Sequence, residues 1–141
     1  MDTAEREAQI RRFVDEVWNG RDYAACSRLY HQDHLSPYGK GPEAKAAGIR
    51  ANHLAFPDDM EVAIDDLIVS GNKAVLRITL TGTDCGGYAG RPPTGRPVRE
   101  WGVNIMEFKD DRVIREFMGA DKLGLFIQLG VLEDPWPQPG T

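Results

Sequence analysis

The chain has 141 residues, 41% hydrophobic and 28% charged, a composition that predicts one soluble globular domain spanning residues 1–141. The formal net charge of −5 and the scattered basic residues argue against a nucleic-acid or anionic-membrane partner, because phosphate-binding surfaces need clustered Lys and Arg. The charged N-terminal stretch and the lack of a long apolar segment argue against a signal peptide or a membrane span, so we expect a cytoplasmic protein.

The N-terminal part of the chain predicts three helices. Apolar residues recur at three- and four-residue steps over Glu5–Trp18, the spacing of an amphipathic helix. Asp22 is the predicted N-cap of a second helix through YAACSRLY, which leads into the turn HQDHLSPYG. A third helix is predicted from Pro42, in its first turn, to the residue before Pro57.

After Asp59 the pattern changes to short strands. MEVAIDDLIVSG and KAVLRITLTGT are rich in β-branched residues and are separated by a Gly/Asn turn, which predicts a hairpin. DCGGYAGRPPTGRP is a predicted loop, and VREWGVNIMEFKDDRVIREFM predicts two more strands about a KDDR turn. Helices followed by an antiparallel sheet are an α+β pattern.

Alternation along the last two strands places acidic residues among apolar ones. Glu100 shares a strand face with Met106, and Glu116 shares one with Ile114 on the next strand. We expect both sheet faces to be largely covered, and burying Glu116 without a partner would be costly. Arg77, within an apolar strand, is the predicted partner of Glu116 or Glu100, either in a structural ion pair or in a substrate-binding role.

Metal and cofactor motifs are absent from the sequence. His31, Asp33 and His34 form a short cluster, but without a second cluster a hydrogen-bonded turn is favoured over a metal site. Cys26 and Cys85 stand far apart outside any CxxC context and are predicted to be free thiols. We therefore expect neither a metal nor a cofactor.

Asp121 precedes the apolar segment KLGLFIQLG, which predicts a short C-terminal helix. A carboxylate at this place can accept hydrogen bonds from the first free amides of the helix and oppose its dipole. An N-cap is therefore favoured over a catalytic acid, although catalysis stays open.

The segments GRPPTGRPVREWGVNIMEF, DDRVIREF and DKLGLFIQLG resemble the SnoaL-like polyketide cyclases of the NTF2-like superfamily. The PPTGR loop before the third long strand and the final D-x-L-G-L-x-x-Q-L-G helix carry the resemblance. It implies a cone-shaped α+β barrel, with three N-terminal helices against a bent antiparallel sheet and a short C-terminal helix. It also implies a deep apolar pocket and a homodimer through the sheet.

The resemblance further implies where catalytic groups should lie. In SnoaL-like cyclases an aspartate on the last strand acts as general acid and base, helped by a histidine. By position these fall at Met118 and Asn104, and neither side chain exchanges a proton near neutral pH. An asparagine of the cyclases falls at Ser36, whose hydroxyl keeps a polar role possible. The chain is thus expected to be a divergent member.

Glu116 is the first catalytic candidate, because an acid in an apolar pocket is suited to proton transfer. Asp121 and Arg77 are the other catalytic candidates. Trp18 is predicted mainly as core but is kept among the candidates for substrate binding, which are Asn104, Ser36, His34, Tyr38, Met118, Met106, Trp101 and Trp18.

Three functions follow from these residues and the resemblance. The first is a cofactor-independent acid/base enzyme of aromatic polyketide or related natural-product biosynthesis, which cyclises, isomerises or opens a hydrophobic oxygenated intermediate. The second is a hydroxylase-type protein acting with a reductase or with substrate-activated oxygen. The third is a non-catalytic small-molecule-binding or assembly module.

Overall fold

The computed structural model describes residues 1–136, so the end of the proline-rich tail, residues 137–141, lies outside the described residues. The helical segments are α1 (Thr3–Phe13), its π-helical continuation (Val14–Asn19), a 3₁₀ helix (Tyr23–Arg28), α2 (Gly41–Ala55) and α3 (Lys122–Gln128). Within the described range no helix is long and apolar enough to cross a membrane.

Within residues 1–136, six strands form two antiparallel sheets. They are β1 (Leu35–Ser36), β2 (Gly39–Lys40), β3 (Glu61–Ser70), β4 (Lys73–Thr83), β5 (Pro97–Lys109) and β6 (Arg112–Ala120). β1 and β2 pair as a small hairpin, and the main sheet has the order β3-β4-β5-β6. Helices packed against one bent antiparallel sheet confirm the α+β prediction.

The second predicted helix forms, but as a 3₁₀ helix and not as an α-helix. Tyr23–Arg28 is 3₁₀, and the Asp22 side chain makes no capping hydrogen bond. The segment spans only 6 residues, and 3₁₀ turns are frequent in such short connecting helices, although this run is longer than most. The turn after it is the β1–β2 hairpin, in which the Ser36 hydroxyl donates to the Gly39 carbonyl at 3.1 Å and accepts from the Tyr38 N–H at 3.2 Å.

The core lies between the helices and the inner face of the sheet. Its fully buried members include Ile10 of α1, Ile49 of α2, Met106 of β5 and Leu125 of α3. Met106, which the sequence analysis proposed as a substrate contact, is 0% exposed and does not border the cavity described below, so that prediction is wrong. Burial raises the pKa of the free Cys26 thiol to about 11.

A β-bulge decides which residues of β6 face inward. The register shifts between Glu107 and Phe108, so that Phe108 lies opposite Val113 while Met106 lies opposite Glu116. Val113, and not Ile114, is the fully buried residue at this point. The extra residue bends the strand, as bulges do, and the strict alternation predicted for Ile114 and Glu116 does not hold across it.

The outer face of the main sheet is not covered in the single chain. An apolar row crosses the four strands through Ile68, Val75, Ile105 and Phe117, which are neighbours in register. Trp101 lies on the same face and is 51% exposed. The prediction that both faces are covered is therefore wrong, and so is the placement of Trp101 in a substrate pocket.

The Gly/Pro-rich loop between β4 and β5 is organised by Asp84, which is 1% exposed. Its carboxylate accepts hydrogen bonds from the Gly87 N–H at 3.0 Å and from the Thr94 N–H and hydroxyl at 3.0 and 2.9 Å. At Gly86 a Cβ atom would collide with the Leu54 carbonyl at the end of α2, so only glycine allows this close approach. The loop is thereby docked on the helical layer.

Candidate functional site

A cavity of about 530 Å³ opens between α2, the β1–β2 hairpin, the Gly/Pro-rich loop and the inner face of β6. This volume lies within the range of roughly 300–1,000 Å³ that is usual for small-molecule sites. The lining is mostly apolar. Its members with polar groups or large side chains include Trp18, His34, Ser36, Tyr38, Lys45, Tyr88, Glu116, Met118 and Lys122.

A buried ion pair forms part of the cavity wall. Lys45 Nζ of α2 lies 2.7 Å from Glu116 Oε1 of β6, and the two side chains are 7% and 2% exposed. The Tyr30 hydroxyl donates to the other carboxylate oxygen, Glu116 Oε2, at 2.6 Å. Glu116 is thus held by a cation and a hydroxyl, as a buried carboxylate must be.

The ammonium group of Lys45 has donor capacity left for a ligand. It carries three N–H donors, and among the described residues its hydrogen-bonding partners are Glu116 and Met118 Sδ, a weak acceptor at 3.3 Å. The ammonium also lies 5.0 Å from the centre of the Tyr30 ring. A carbonyl oxygen that displaced the sulfur would be the better acceptor, so this point of the cavity is suited to an electron-rich oxygen.

His34 borders the cavity next to this pair and is 1% exposed. Its ring meets the Tyr30 ring edge-on at 4.9 Å, and its buried Nδ1 has no hydrogen-bond partner among the described residues. Burial lowers the pKa of His34, Glu116 opposes this, Lys45 lowers it further, and a hydrogen bond with the Ile114 backbone opposes it. A neutral ring with an unused nitrogen can accept a hydrogen bond or a proton.

His53 shows how a histidine of α2 supports the wall instead. Its Nε2 lies 2.7 Å from the Trp18 carbonyl and its Nδ1 lies 2.8 Å from the Tyr23 hydroxyl, so both ring nitrogens have partners. Burial lowers the pKa of His53, which the carbonyl of Trp18 partly opposes. These contacts hold the end of the first helical segment, including cavity-lining Trp18, against α2.

Several predicted site residues do meet at the cavity. Its lining includes Glu116, the first catalytic candidate, together with His34, Ser36, Tyr38, Met118 and Trp18. Asn104 lies beside Met118 in the strand register and is 9% exposed, but it does not border the cavity. Its predicted substrate contact is therefore not available in this arrangement.

Arg77 lies on the outer face of the sheet, away from the cavity. Its Nε is 2.7 Å from Asp66 Oδ2, and its other near carboxylate is Asp65 at 3.6 Å. The predicted pairing with Glu116 or Glu100 is wrong, because Leu76 and Ile78, which flank Arg77, point to the opposite face of the strand from it. Without that pairing, the geometry gives no support to a catalytic role for Arg77.

Asp121 caps α3. Its carboxylate accepts a hydrogen bond from the Gly124 N–H at 2.9 Å, and the residue does not border the cavity. The capping prediction is confirmed, and the alternative catalytic role has no support in the geometry.

The two histidine side chains of the short sequence cluster have different environments in the fold. His31 lies near Asp110, with 3.7 Å between Nε2 and Oδ2, whereas His34 is buried against Tyr30. Over residues 1–136 no three His, Cys, Asp or Glu side chains come together in a way that could hold a metal ion.

Lys45 is the main site residue that the sequence analysis missed. Gly41, Lys45, Ile49 and His53 follow one another at four-residue steps and are all buried. A lysine on this stripe of α2 was the available signal, since a buried ammonium needs an anionic partner. The identity of that partner could not be found from periodicity.

Comparisons with known proteins agree with this architecture. Residues 8–129 match the family model described as SnoaL-like polyketide cyclase. TsrD from Streptomyces laurentii is 30% identical, with a TM-score of 0.85 over 94% of this chain and 99% of that one. AclR from Streptomyces galilaeus, a proposed hydroxylase, is 25% identical, with a TM-score of 0.81 over 94% and 89% of the two chains.

A proposed SnoaL-like polyketide cyclase from Jannaschia sp. CCS1 shares the fold, with 23% identity and a TM-score of 0.79 over 92% of this chain and 94% of that one. No curated protein sequence matches the chain significantly.

Proposed function

Because the chain belongs to the SnoaL-like polyketide cyclase family, we propose that it is a cofactor-independent acid/base enzyme of aromatic polyketide or related natural-product biosynthesis. Its reaction is the cyclisation, isomerisation or ring opening of a hydrophobic oxygenated intermediate. The observation that carries the proposal is the Lys45–Glu116 ion pair, buried in the wall of a mostly apolar cavity.

Lys45 binds and polarises a substrate carbonyl. The carbonyl oxygen takes the place of Met118 Sδ at the ammonium group. When a proton leaves the carbon next to the carbonyl, the electron pair of that C–H bond moves onto the oxygen, which becomes an enolate. A fixed positive charge in a desolvated cavity stabilises this developing charge more strongly than water would.

Glu116 is the proposed proton acceptor. It takes the carbon-bound proton in the first step and returns it to the product, so the net reaction needs no oxidant or reductant. Tyr30 keeps Oε2 in place through its 2.6 Å hydrogen bond. His34 offers a second acceptor at Nδ1 for a proton released from the substrate. Ser36, Tyr38, Met118 and Trp18 are the proposed substrate contacts.

A hydroxylase-type function is the second candidate. It is favoured by the 25% identity to AclR, which is described as a proposed hydroxylase. Such a reaction consumes molecular oxygen and depends on a reductase or on an electron-rich substrate, and the acid/base reaction does neither. Oxygen consumption therefore distinguishes the two functions.

Solvent-deuterium exchange tests the proposed function. The purified protein is incubated in D₂O under argon, without reductant, with the bicyclic aromatic ketone 1-tetralone, and deuterium at the carbon next to the carbonyl is followed by NMR. We expect exchange faster than in buffer, and unchanged by air or NADH. Exchange at the buffer rate would contradict the proposal, and oxygen uptake that requires both ketone and reductant would support the hydroxylase instead.

We also propose that two copies associate through the outer face of the main sheet. The apolar row Ile68, Val75, Ile105 and Phe117 crosses all four strands, and its outer members Ile68 and Phe117 are 60% and 67% exposed. Exposed contiguous apolar surface of this kind marks association sites.

Sedimentation velocity tests the association. We expect a dimer for the natural sequence and a folded monomer for Phe117→Glu, because the charge would be buried in a symmetric interface. Arg112→Glu, at the start of β6 away from the row, is the control and should remain dimeric. A monomeric natural protein at micromolar concentration would contradict the association.

A further inference from the structure

A second lysine, carboxylate and tyrosine meet at another part of the same cavity. Lys122 and Tyr88 both border it, and Glu100 lies next to Lys122 on the inner face of β5. Lys122 follows the end of β6, while Glu116 lies earlier on that strand; from Glu116 to Ala120 a strand advances roughly 13 Å. Among the described residues no hydrogen bond or ion pair joins this Lys122 cluster to Lys45 and Glu116.

The contacts within the Lys122 cluster are well defined. Lys122 Nζ donates to the Tyr88 hydroxyl at 2.8 Å and to Glu100 Oε1 at 3.2 Å. It also lies 3.1 Å from Glu100 Oε2, an ionic contact without hydrogen-bond geometry, and this buried oxygen accepts no hydrogen bond. Burial raises the pKa of Glu100, against the opposing effect of Lys122.

This cluster has hydrogen-bonding capacity that the chain itself does not use. An ammonium group has three N–H donors, of which Lys122 gives one to Tyr88 and one to Glu100. Glu100 Oε2 is in ionic contact with Lys122 but accepts no hydrogen bond, although its side chain is only 9% exposed, so this carboxylate also has an acceptor site that the described residues leave unused. The third N–H of Lys122 can point at an oxygen atom in the cavity.

The surroundings of Tyr88 hold its ring in place. The Tyr88 ring stacks on Phe56 with 5.9 Å between ring centres and meets Phe126 edge-on at 5.8 Å. The loop that carries Tyr88 is held by the buried Asp84 through the hydrogen bonds described above. A ligand oxygen would therefore meet a Tyr88 hydroxyl that is already in position, which lowers the entropic cost of binding.

The net charge of the Lys122 cluster indicates which kind of ligand oxygen it can bind. Lys122 and Glu100 form an ion pair with no net charge. A phosphate or carboxylate would be attracted by the ammonium group of Lys122 but repelled by the carboxylate beside it. A hydroxyl or ketone oxygen accepts from Lys122 with no such repulsion, and a hydroxyl can also donate. The neighbouring Lys45–Glu116 pair is neutral in the same way.

We propose that Lys122, Tyr88 and Glu100 form a second polar subsite, which binds a neutral hydroxyl or ketone oxygen of the substrate remote from the carbonyl held by Lys45. The inference rests on the proposed function, whose substrate it narrows to a hydrophobic molecule with oxygen at two separated positions. Lys122 and Tyr88 contact that oxygen, and Glu100 is a positioning residue that orients Lys122.

Two matched ligands test the subsite: 1-tetralone, and 6-hydroxy-1-tetralone, which adds one hydroxyl on the ring remote from the ketone. Dissociation constants are measured by calorimetry in mildly acidic buffer, where the phenol is neutral. The hydroxyl should tighten binding to the natural protein by about 10-fold, the effect of one hydrogen bond to a charged group. Lys122→Met should abolish this gain, so that this variant binds the two ligands with affinities within about twofold of each other.

Further variants separate positioning from packing. Glu100→Gln and Tyr88→Phe should each reduce the hydroxyl gain, and Lys109→Met, on the exposed end of β5, should keep it. If the cluster had a purely structural role, Lys122→Met would have a lower melting temperature, but the difference in affinity between the two ligands would be the same as in the natural protein. Circular dichroism establishes that each variant is folded.

The subsite is overturned if the hydroxyl adds no affinity to the natural protein, or if its gain survives in Lys122→Met. The proposed function could fail while the subsite holds. In that case Lys45→Met would not weaken ketone binding, or no deuterium exchange would be seen, but the affinity gained from the hydroxyl would still depend on Lys122. If the natural protein binds neither ketone, both proposals fail.

Discussion

Replacing the carboxylate of Glu116 by an amide, Glu116→Gln, is expected to lower kcat/KM for deuterium exchange by about 10²- to 10⁴-fold, the usual contribution of a general acid or base. The amide has nearly the same size and can still accept a hydrogen bond from Tyr30, so the cavity should keep its shape, but Lys45 loses its anionic partner and the variant should be less stable. It cannot accept a proton near neutral pH. Exchange rates over a range of 1-tetralone concentrations give the measurement.

The matched control for this prediction is Glu107→Gln. Glu107 lies on β5 near Arg115 and does not border the cavity, so its loss should leave the exchange rate unchanged. A folded Glu116→Gln protein that exchanges at the natural rate would remove Glu116 as proton acceptor. The neutral His34, with its unpaired Nδ1, would then be the group to replace.

Removing the ammonium group, Lys45→Met, is expected to lower the free energy of unfolding by about 3–5 kcal/mol, the usual cost of leaving one member of a buried ion pair without its partner. Glu116 would keep Tyr30 as a donor but lose the cation 2.7 Å away. Urea denaturation followed by circular dichroism measures the change. Exchange activity should be lost as well, since no cation would polarise the ketone.

A double variant separates the ion pair from simple packing. Lys45→Met with Glu116→Gln leaves no buried charge, so it should recover most of the lost stability while remaining inactive. Lys40→Met is the surface control, because the exposed Lys40–Asp33 pair contributes little in water. A double variant as unstable as Lys45→Met alone would show that side-chain volume, not unpaired charge, causes the loss.

Much of the fold could be predicted because its signals are local. The strand predicted as KAVLRITLTGT is β4, Lys73–Thr83, and the Gly/Asn turn before it closes the β3–β4 hairpin. Asp121 caps α3 as its place before an apolar segment indicated. Each of these features depends on hydrogen bonds and side-chain alternation among residues a few positions apart.

The wrong predictions concern residues whose position on the inner or outer face depends on how the whole sheet packs. Arg77 was predicted to face inward because its neighbours are apolar, yet in a strand the neighbours of an outward residue face inward. Trp101 is exposed on the outer face for the same reason. Alternation divides a strand into two faces, but only packing against the helices determines which face is covered.

The sequence by itself determined the α+β class, the order of helices and strands, the capped C-terminal helix, and the presence of an acid, Glu116, among the apolar residues of the last strand. Only the tertiary structure decided that Lys45, 71 residues away in sequence, and Tyr30, 86 residues away, bind that acid. The physical reason is that helix and strand periodicity follow from neighbouring residues. The partner of a buried charge depends instead on how α2 lies across the sheet and on the bulge that sets the register of β6.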